Sequence, residues 1–441
     1  MRSWLGFAAA LALGPSLVAG QSSPPPTPSA NPSFWQAAGG VLAANGFTWG
    51  YNWYVQRWHW ANVGTQSWAA NIRDGFEWDN DCFMVNHLAH PYHGAFYHSS
   101  ARGSGYGFWG SLPYVVAGSA SWELFFENVR PSLNDFVNTT LGGIALGEVT
   151  FRLSSLVAPH RSSSGGAFRQ VGAFALSPMA RVQAALDGSD GMPERRPPTH
   201  QAWIALGSLR DRIDAPSGSG NRGFVELAVR YGSPFDEGAT RPFDAFELRL
   251  QLSRAPTEVV NRLAISGLLA RDDLRRWGTS QLSMGLFQHY DYQDSSPYEF
   301  AGQSLSGALL YRRTLGSRLH LDLGAHAETL VLGAITSDHG HYFRRDYDYG
   351  PGLGARFSGS LRRGTSDLLH FEHRTLWLHS VYGAEANHRI TETRFGLALP
   401  ITGLVQVGGD LGLRTRQSAY RGLPSHTRRA SQLRTYLVLS R

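Results

Sequence analysis

The second half of the chain repeats a two-residue alternation of apolar and polar side chains. Leu319, Leu321 and Leu323, for example, alternate with His320 and Asp322. Because successive side chains of a β-strand point to opposite faces, each such segment has one apolar face and one polar face. About twelve segments of this kind follow residue 200, and bacterial single-chain barrels need an even number of strands. The pattern predicts a mainly β fold class, a transmembrane antiparallel β-barrel of about twelve strands over residues 201–441 with a polar lumen.

Composition separates the barrel from other β folds. A soluble β-sandwich would alternate in the same way, but only 17% of residues are charged, against ~25% in soluble domains. The single cysteine, Cys82, excludes an intramolecular disulfide and a cysteine-based zinc site. The 40 basic residues are all arginines and form no basic block, so nucleic acid is not an expected partner.

The N-terminus has the pattern of a secretory signal. Arg2 precedes an apolar stretch at residues 5–17 that is too short to span a bilayer, and small residues follow it. We therefore expect a cleaved signal peptide at residues 1–20 and a Pro/Ser-rich tether at residues 21–33. Together with the barrel, this predicts the outer membrane of a Gram-negative bacterium, with outer-membrane lipid and the barrel-assembly machinery as partners.

Residues 34–160 are predicted to form a Trp-rich helical domain, packed in or under the barrel. Three helices are expected, at residues 80–100, 113–128 and 132–153. Pro113 suits a first helical turn, and Ser132 with Asp135 forms the pattern of a helix N-terminus. Residues 161–200 are rich in Ser, Gly and Pro and are predicted to be a linker.

Polar residues recur at helical spacing within these apolar helices. Asn86 and His90 lie four positions apart, as do Glu123 and Glu127, so each pair shares a helix face. A buried carboxylate without a partner costs several kcal/mol. We therefore expect one buried acid–histidine–arginine cluster with these candidate catalytic residues: His90, His93, Arg102, Glu123, Glu127 and Asp135. Further members of a structural polar cluster are Asp79, Asp81, Asn86, Asn134 and Glu148.

The run from residue 75 to residue 155 resembles the bacterial domain-of-unknown-function family 3943. The resemblance rests on unusual short motifs that occur in order, namely Trp78-Asp79-x-Asp81, Asn86, His90-Pro91, Gly94, Tyr97, Arg102, Trp122-Glu123, Glu127, Asn134-Asp135, Thr139, Gly142-Gly143 and Gly147-Glu148. It implies a secreted, outer-membrane protein and carries no established activity.

Four roles for the polar residues stay open. In the first, the helices plug the barrel of a structural or envelope-maintenance protein, and their polar groups meet the lumen residues His320, Asp322, His326, Glu328, His370, Glu372 and Arg374. The second is an envelope-lipid hydrolase or acyltransferase. There His90 or His93 is the general base, a glutamate orients it, Arg102 holds a phosphate or oxyanion, and the nucleophile is Ser99, Ser119 or Ser121.

The third role is a divalent metal site on His90, His93, Glu123 and Glu127, although the sequence contains neither the H-E-x-x-H nor the E-x-x-H motif. The fourth is a channel. No cofactor is expected apart from this divalent metal, whose identity is unknown. Whether the protein is an enzyme is left undecided, and so is the lipid or small-molecule substrate.

Overall fold

A computed structural model describes residues 31–79, 81–158, 166–188, 199–214, 219–253, 259–295, 297–340, 347–364 and 366–440. The chain divides into two compact units, Met1–Pro197 and Pro198–Arg441. The predicted signal peptide and nearly all of the tether lie outside the described residues. Each unit is treated by itself below.

The first unit is helical. Its α-helices are α1 (Phe34–Gly50), α2 (Thr65–Asp74), α3 (His90–Gly103), α4 (Phe108–Phe125), α5 (Leu133–Val157), α6 (Gly166–Leu176) and α7 (Pro178–Leu186). A π-helical segment, Val85–Ala89, runs directly into α3 at the His90-Pro91 dipeptide. None of the helices in the described part of the chain combines the length and the apolarity needed to cross a membrane.

Three predicted helices correspond to α3, α4 and α5, but other details differ. Helix α4 begins five residues earlier than expected, after Gly107, so Pro113 lies inside it rather than in its first turn. Helices α6 and α7 occupy part of the stretch predicted as a linker. Their own sequences contain good helix formers, and the Ser, Gly and Pro residues that suggested a linker lie mostly outside them. The N-terminus of α5 is as expected, because the Ser132 hydroxyl accepts a hydrogen bond from the Asp135 N–H.

The second unit is a closed antiparallel barrel of twelve strands, which confirms the predicted fold. They are β1 (His200–Ile213), β2 (Ser219–Tyr231), β3 (Phe246–Ser253), β4 (Val260–Trp277), β5 (Ser280–Ser295), β6 (Tyr298–Thr314), β7 (Leu319–Thr336), β8 (Tyr347–Arg363), β9 (Ser366–His379), β10 (Ala386–Pro400), β11 (Val405–Tyr420) and β12 (His426–Ser440). Each strand pairs with its neighbours in the sequence, and β1 pairs with β12 to close the barrel.

The barrel has its polar side chains inside and its apolar side chains outside. On β12, Leu433 and Leu437 are 53% and 50% exposed, whereas Gln432 and Arg434 are buried. The lumen therefore holds charged groups that must compensate one another. Arg434, for example, donates to Glu226 across the β1 strand at 2.8 Å.

Candidate functional site

Helices α3 and α5 approach so closely that only glycine fits between them. A Cβ atom on Gly143 would lie 2.5 Å from the Cα of Gly94, and a Cβ on Gly94 would lie 1.9 Å from the backbone oxygen of Thr139. This contact brings His90 opposite Thr139, with His90 Nδ1 3.1 Å from the Thr139 hydroxyl. The seam between these two helices thus positions the polar groups on both sides of it.

Three helices each contribute one polar side chain to a buried group at this seam. His90 begins α3, Glu123 lies near the end of α4, and Asp135 lies in the first turn of α5. One donor atom from each of the three lies within 4.8 Å of the others. His90 Nε2 is 3.7 Å from Asp135 Oδ2. One imidazole and two carboxylates at this spacing are a set of ligands suited to a divalent metal ion.

Hydrogen bonds hold the two carboxyl groups in place. Glu123 Oε2 accepts from the Ser132 N–H at 2.8 Å, and Asp135 Oδ1 accepts from Asn134 Nδ2 at 3.1 Å. Glu123 Oε1 is buried and accepts no hydrogen bond from the described residues. Buried polar atoms normally have a hydrogen-bond partner, so the lack of one at this oxygen is unusual.

A third carboxylate, Asp79, lies beside the group. Its Oδ1 accepts from Asn86 Nδ2 at 2.9 Å and from Asn134 Nδ2 at 2.8 Å, and its N–H donates to Asn134 Oδ1 at 3.0 Å. Its carboxylate is also hydrogen-bonded to the Asp135 carboxyl. Of the residues predicted for the structural polar cluster, the structure brings Asp79, Asn86 and Asn134 together, whereas Asp81 is exposed.

Burial shifts the protonation of the group. It raises the pKa of Glu123 and of Asp135 well above the usual range for carboxyl groups, and neighbouring carboxylates add to the effect. It lowers the pKa of His90 to about 4. Burial also acts to raise the pKa of Asp79, but hydrogen bonds from Asp135 and two asparagines outweigh it, so the Asp79 pKa lies below its usual value. Without a cation, burial therefore disfavours the charged forms of Glu123, Asp135 and His90.

His93 and Glu127 flank the indole of Trp122 instead of joining this group. The Trp122 Nε1–H donates to Glu127 Oε1 at 2.8 Å, and burial raises the pKa of Glu127 to about 8. The His93 and Trp122 rings meet edge to face with their centroids 4.7 Å apart. The Tyr97 hydroxyl lies 3.1 Å from His93 Nε2 and donates to Asn45 Oδ1.

Arg102 belongs to a second buried group, centred on Glu148. Arg102 Nε is 2.8 Å from Glu148 Oε2, Arg152 Nε is 2.7 Å from Oε1, and His98 Nε2 is 2.9 Å from Oε2. Burial acts to raise the pKa of Glu148, but the two guanidinium groups outweigh it and hold this pKa well below its usual value. The expected single acid–histidine–arginine cluster is thus two groups, because Arg102 lies about 18 Å along the α3 axis from His90.

Sequence reasoning missed His98 and Arg152 as partners of Glu148. The spacing of four residues between Glu148 and Arg152, and between His98 and Arg102, was the available signal. Helices α3 and α5 meet through tertiary packing, and the spacing of residues within each helix does not reveal this contact.

The serines considered as nucleophiles are engaged elsewhere. Ser99, Ser119 and Ser121 donate their hydroxyls to the backbone oxygens of residues 96, 136 and 118, respectively. Among the described residues, none of the three hydrogen-bonds a histidine. The arrangement therefore offers no Ser–His pair for acyl transfer.

The barrel encloses a cavity of about 290 Å³ with a strongly charged wall. Eight arginines, six carboxylates and four histidines line it. Five of the predicted lumen residues are among them, namely Asp322, His326, His370, Glu372 and Arg374. Glu328 accepts from Arg374, and His320 Nδ1 lies 3.1 Å from the Thr314 hydroxyl.

A family model matches part of the helical unit. Residues 75–179 match the family described as "Domain of unknown function (DUF3943)", so the family resemblance is confirmed, and the match extends into α7. No curated protein matches the chain.

Solved structures with a similar barrel cover about half of this chain. The NanC porin is 11% identical with a TM-score of 0.29, over 53% of this chain and 98% of the porin. The Pseudomonas putida toluene transporter TodX is 8% identical with a TM-score of 0.22, over 56% and 90%. Pseudomonas aeruginosa OccK2 is 13% identical with a TM-score of 0.21, over 55% and 98%.

Proposed function

We propose that this chain is an outer-membrane protein of a Gram-negative bacterium whose barrel admits small anionic solutes. The observation that carries the proposal is the polarity of the barrel, apolar outside and charged inside. A soluble protein buries its leucines, whereas a transmembrane barrel directs them to lipid. The large apolar side chains that the strands expose include Leu309, Leu323, Leu353, Phe357, Trp377, Phe395, Leu397, Leu411, Leu433 and Leu437.

The preference for anions follows from the charges in the cavity wall. Seven of its eight arginines lie within 4.0 Å of a carboxylate, whereas Arg262 has no such partner among the described residues. The wall thus contains an unbalanced positive charge in a confined space. Charged clefts with low-dielectric walls concentrate counter-ions, here anions.

Conductance in planar bilayers tests the proposal. Purified protein in a KCl gradient is expected to conduct with a reversal potential that indicates chloride preference. Arg262→Glu should move the permeability ratio toward cations, because it changes the charge of the cavity wall by two units. The matched control is Arg421→Glu, which makes the same charge change at an exposed turn and should leave the ratio unchanged.

Three results would contradict the proposal: a soluble periplasmic location, no conductance, or cation preference in the wild type. Absence of conductance by a membrane-inserted protein would favour the envelope-maintenance role with a helical plug. The lipid hydrolase alternative has no structural observation in its favour, since the serines considered for it contact backbone oxygens.

A further inference from the structure

We propose that His90, Glu123 and Asp135 bind a divalent first-row metal ion, with Zn²⁺ as the probe for the site. The three side chains come from three different helices, and one donor atom of each lies within 4.8 Å of the others. Two ligands bound to zinc at about 2.1 Å lie at most about 4.2 Å apart. Small movements of these three side chains would therefore bring all three donor atoms to coordination distance of one ion.

The charges around this site call for a cation. Asp79, Glu123 and Asp135 form a cluster with Glu127 nearby, and within the described part of the chain no arginine lies within 4 Å of any of these four carboxyl groups. Glu148, on the same helix as Asp135, is instead neutralised by protein cations, since two arginines and a histidine surround it. Buried carboxylates are stable when they are paired or when they coordinate a metal ion.

An unpartnered atom at the site provides independent support. Glu123 is only 1% exposed, and its Oε1 accepts no hydrogen bond from the described residues, while Oε2 is held by the Ser132 N–H. A carboxylate oxygen that is buried without a partner loses its hydration and gains nothing in return, which is unfavourable. Coordination of a metal ion satisfies this oxygen.

The histidine has the orientation that a ligand requires. Its Nδ1 lies 3.1 Å from the Thr139 hydroxyl, and its Nε2 lies 3.7 Å from Asp135 Oδ2. Ligating histidines usually use one ring nitrogen for the metal and the other for an orienting hydrogen bond. Asp135 is held in turn by Asn134, which also binds Asp79.

The donor set indicates the kind of ion. One imidazole with carboxylate oxygens suits Zn²⁺ and similar divalent ions, whereas Cu(I) prefers thiolate and thioether ligands. The single cysteine, Cys82, is exposed and is not part of the group of three. The three ligands belong to the helical unit and the cavity residues to the barrel, so zinc binding and solute passage are tested independently.

Zinc binding to the full-length protein in detergent tests the proposal. After removal of metal with EDTA, calorimetric titration with Zn²⁺ should show one tight site, and Zn²⁺ should raise the melting temperature of the helical circular dichroism signal. Glu123→Gln preserves shape and removes the charge, and it should weaken this site about tenfold or more. His59→Gln and Asp74→Asn change exposed residues of the same types as the proposed ligands and should leave the site intact.

Two results would overturn the inference: a wild-type protein without a stoichiometric tight site, or equal zinc affinity in the wild type and Glu123→Gln. Folding of each variant is checked by circular dichroism. If Glu123→Gln fails to fold, Asp135→Asn serves as the second variant with the same expected loss. Conductance is measured on the same samples, so failure of the barrel proposal is recognised separately.

Discussion

Gly143→Ala should separate helices α3 and α5. The new Cβ would lie 2.5 Å from the Gly94 Cα, whereas ordinary contacts begin at 3.4 Å, so the backbones must move apart by about 0.9 Å. The neighbour is backbone and has no flexible side chain that could turn away. Overpacking of this kind costs about 1–3 kcal/mol.

For a unit of this size, a loss of about 2 kcal/mol lowers the melting temperature by about 4–8 °C. Thermal melting of the full chain followed by far-UV circular dichroism measures the change, because the helical signal reports this unit. The displacement should also lengthen the contact between His98 and Glu148, which crosses the same seam.

Gly39→Ala is the matched control, since Gly39 is an exposed helix residue and a Cβ atom added there would have nothing within 4 Å. Alanine at this position should stabilise α1 by up to about 1 kcal/mol through helix propensity. The reasoning is refuted if Gly143→Ala melts at or above the wild-type temperature while the control behaves as expected.

Two further predictions concern buried ion pairs. Because the pKa of Glu148 is lowered in the fold, its charged form stabilises the protein above its unfolded pKa of 4.5, and this stability is lost as pH falls through the lowered pKa. Glu148→Gln should therefore destabilise α3 and α5 at neutral pH by about 3–5 kcal/mol, with a smaller difference in acid, measured by hydrogen exchange of their amides. An equal loss at both pH values would contradict this. In the barrel, Asp338→Asn should cost about 3–5 kcal/mol, because it leaves Arg416, which is 1% exposed, without its counter-charge. The temperature at which the barrel unfolds in SDS measures this loss, and Glu385→Gln, which breaks an exposed pair, should lower it little.

The barrel could be predicted from the sequence because its signal is local to each strand. Alternation with period two identified all twelve strands and the inward direction of Asp322 and His326. The alternation predicts side-chain direction less well where the pairing between strands is irregular. On β7 the register shifts between Leu330 and Gly333. By the alternation, Leu330 lies on the polar face of this strand, yet it is a fully buried apolar residue.

The helical unit was predictable only in part, since its specificity depends on contacts between distant residues. The Gly142-Gly143 pair indicated a close approach, but not that Gly94 would be the neighbour. Helical spacing placed acids and histidines on shared faces, yet gave no means of assigning Arg102 to Glu148, which lies 46 positions later. The rule that proline favours first turns misplaced the start of α4, because that helix begins at Phe108, directly after Gly107.

The closure of the barrel has a consequence for how the chain is made. Ile204 of the first strand pairs with Leu439 of the last, 235 positions later. Such contacts carry a large loop-closure entropy and form slowly. The helical unit is complete long before the last strand leaves the ribosome, whereas the first strand has an unpaired edge until the end of synthesis. Protection of that edge from aggregation is therefore a requirement of this topology until the last strand has paired.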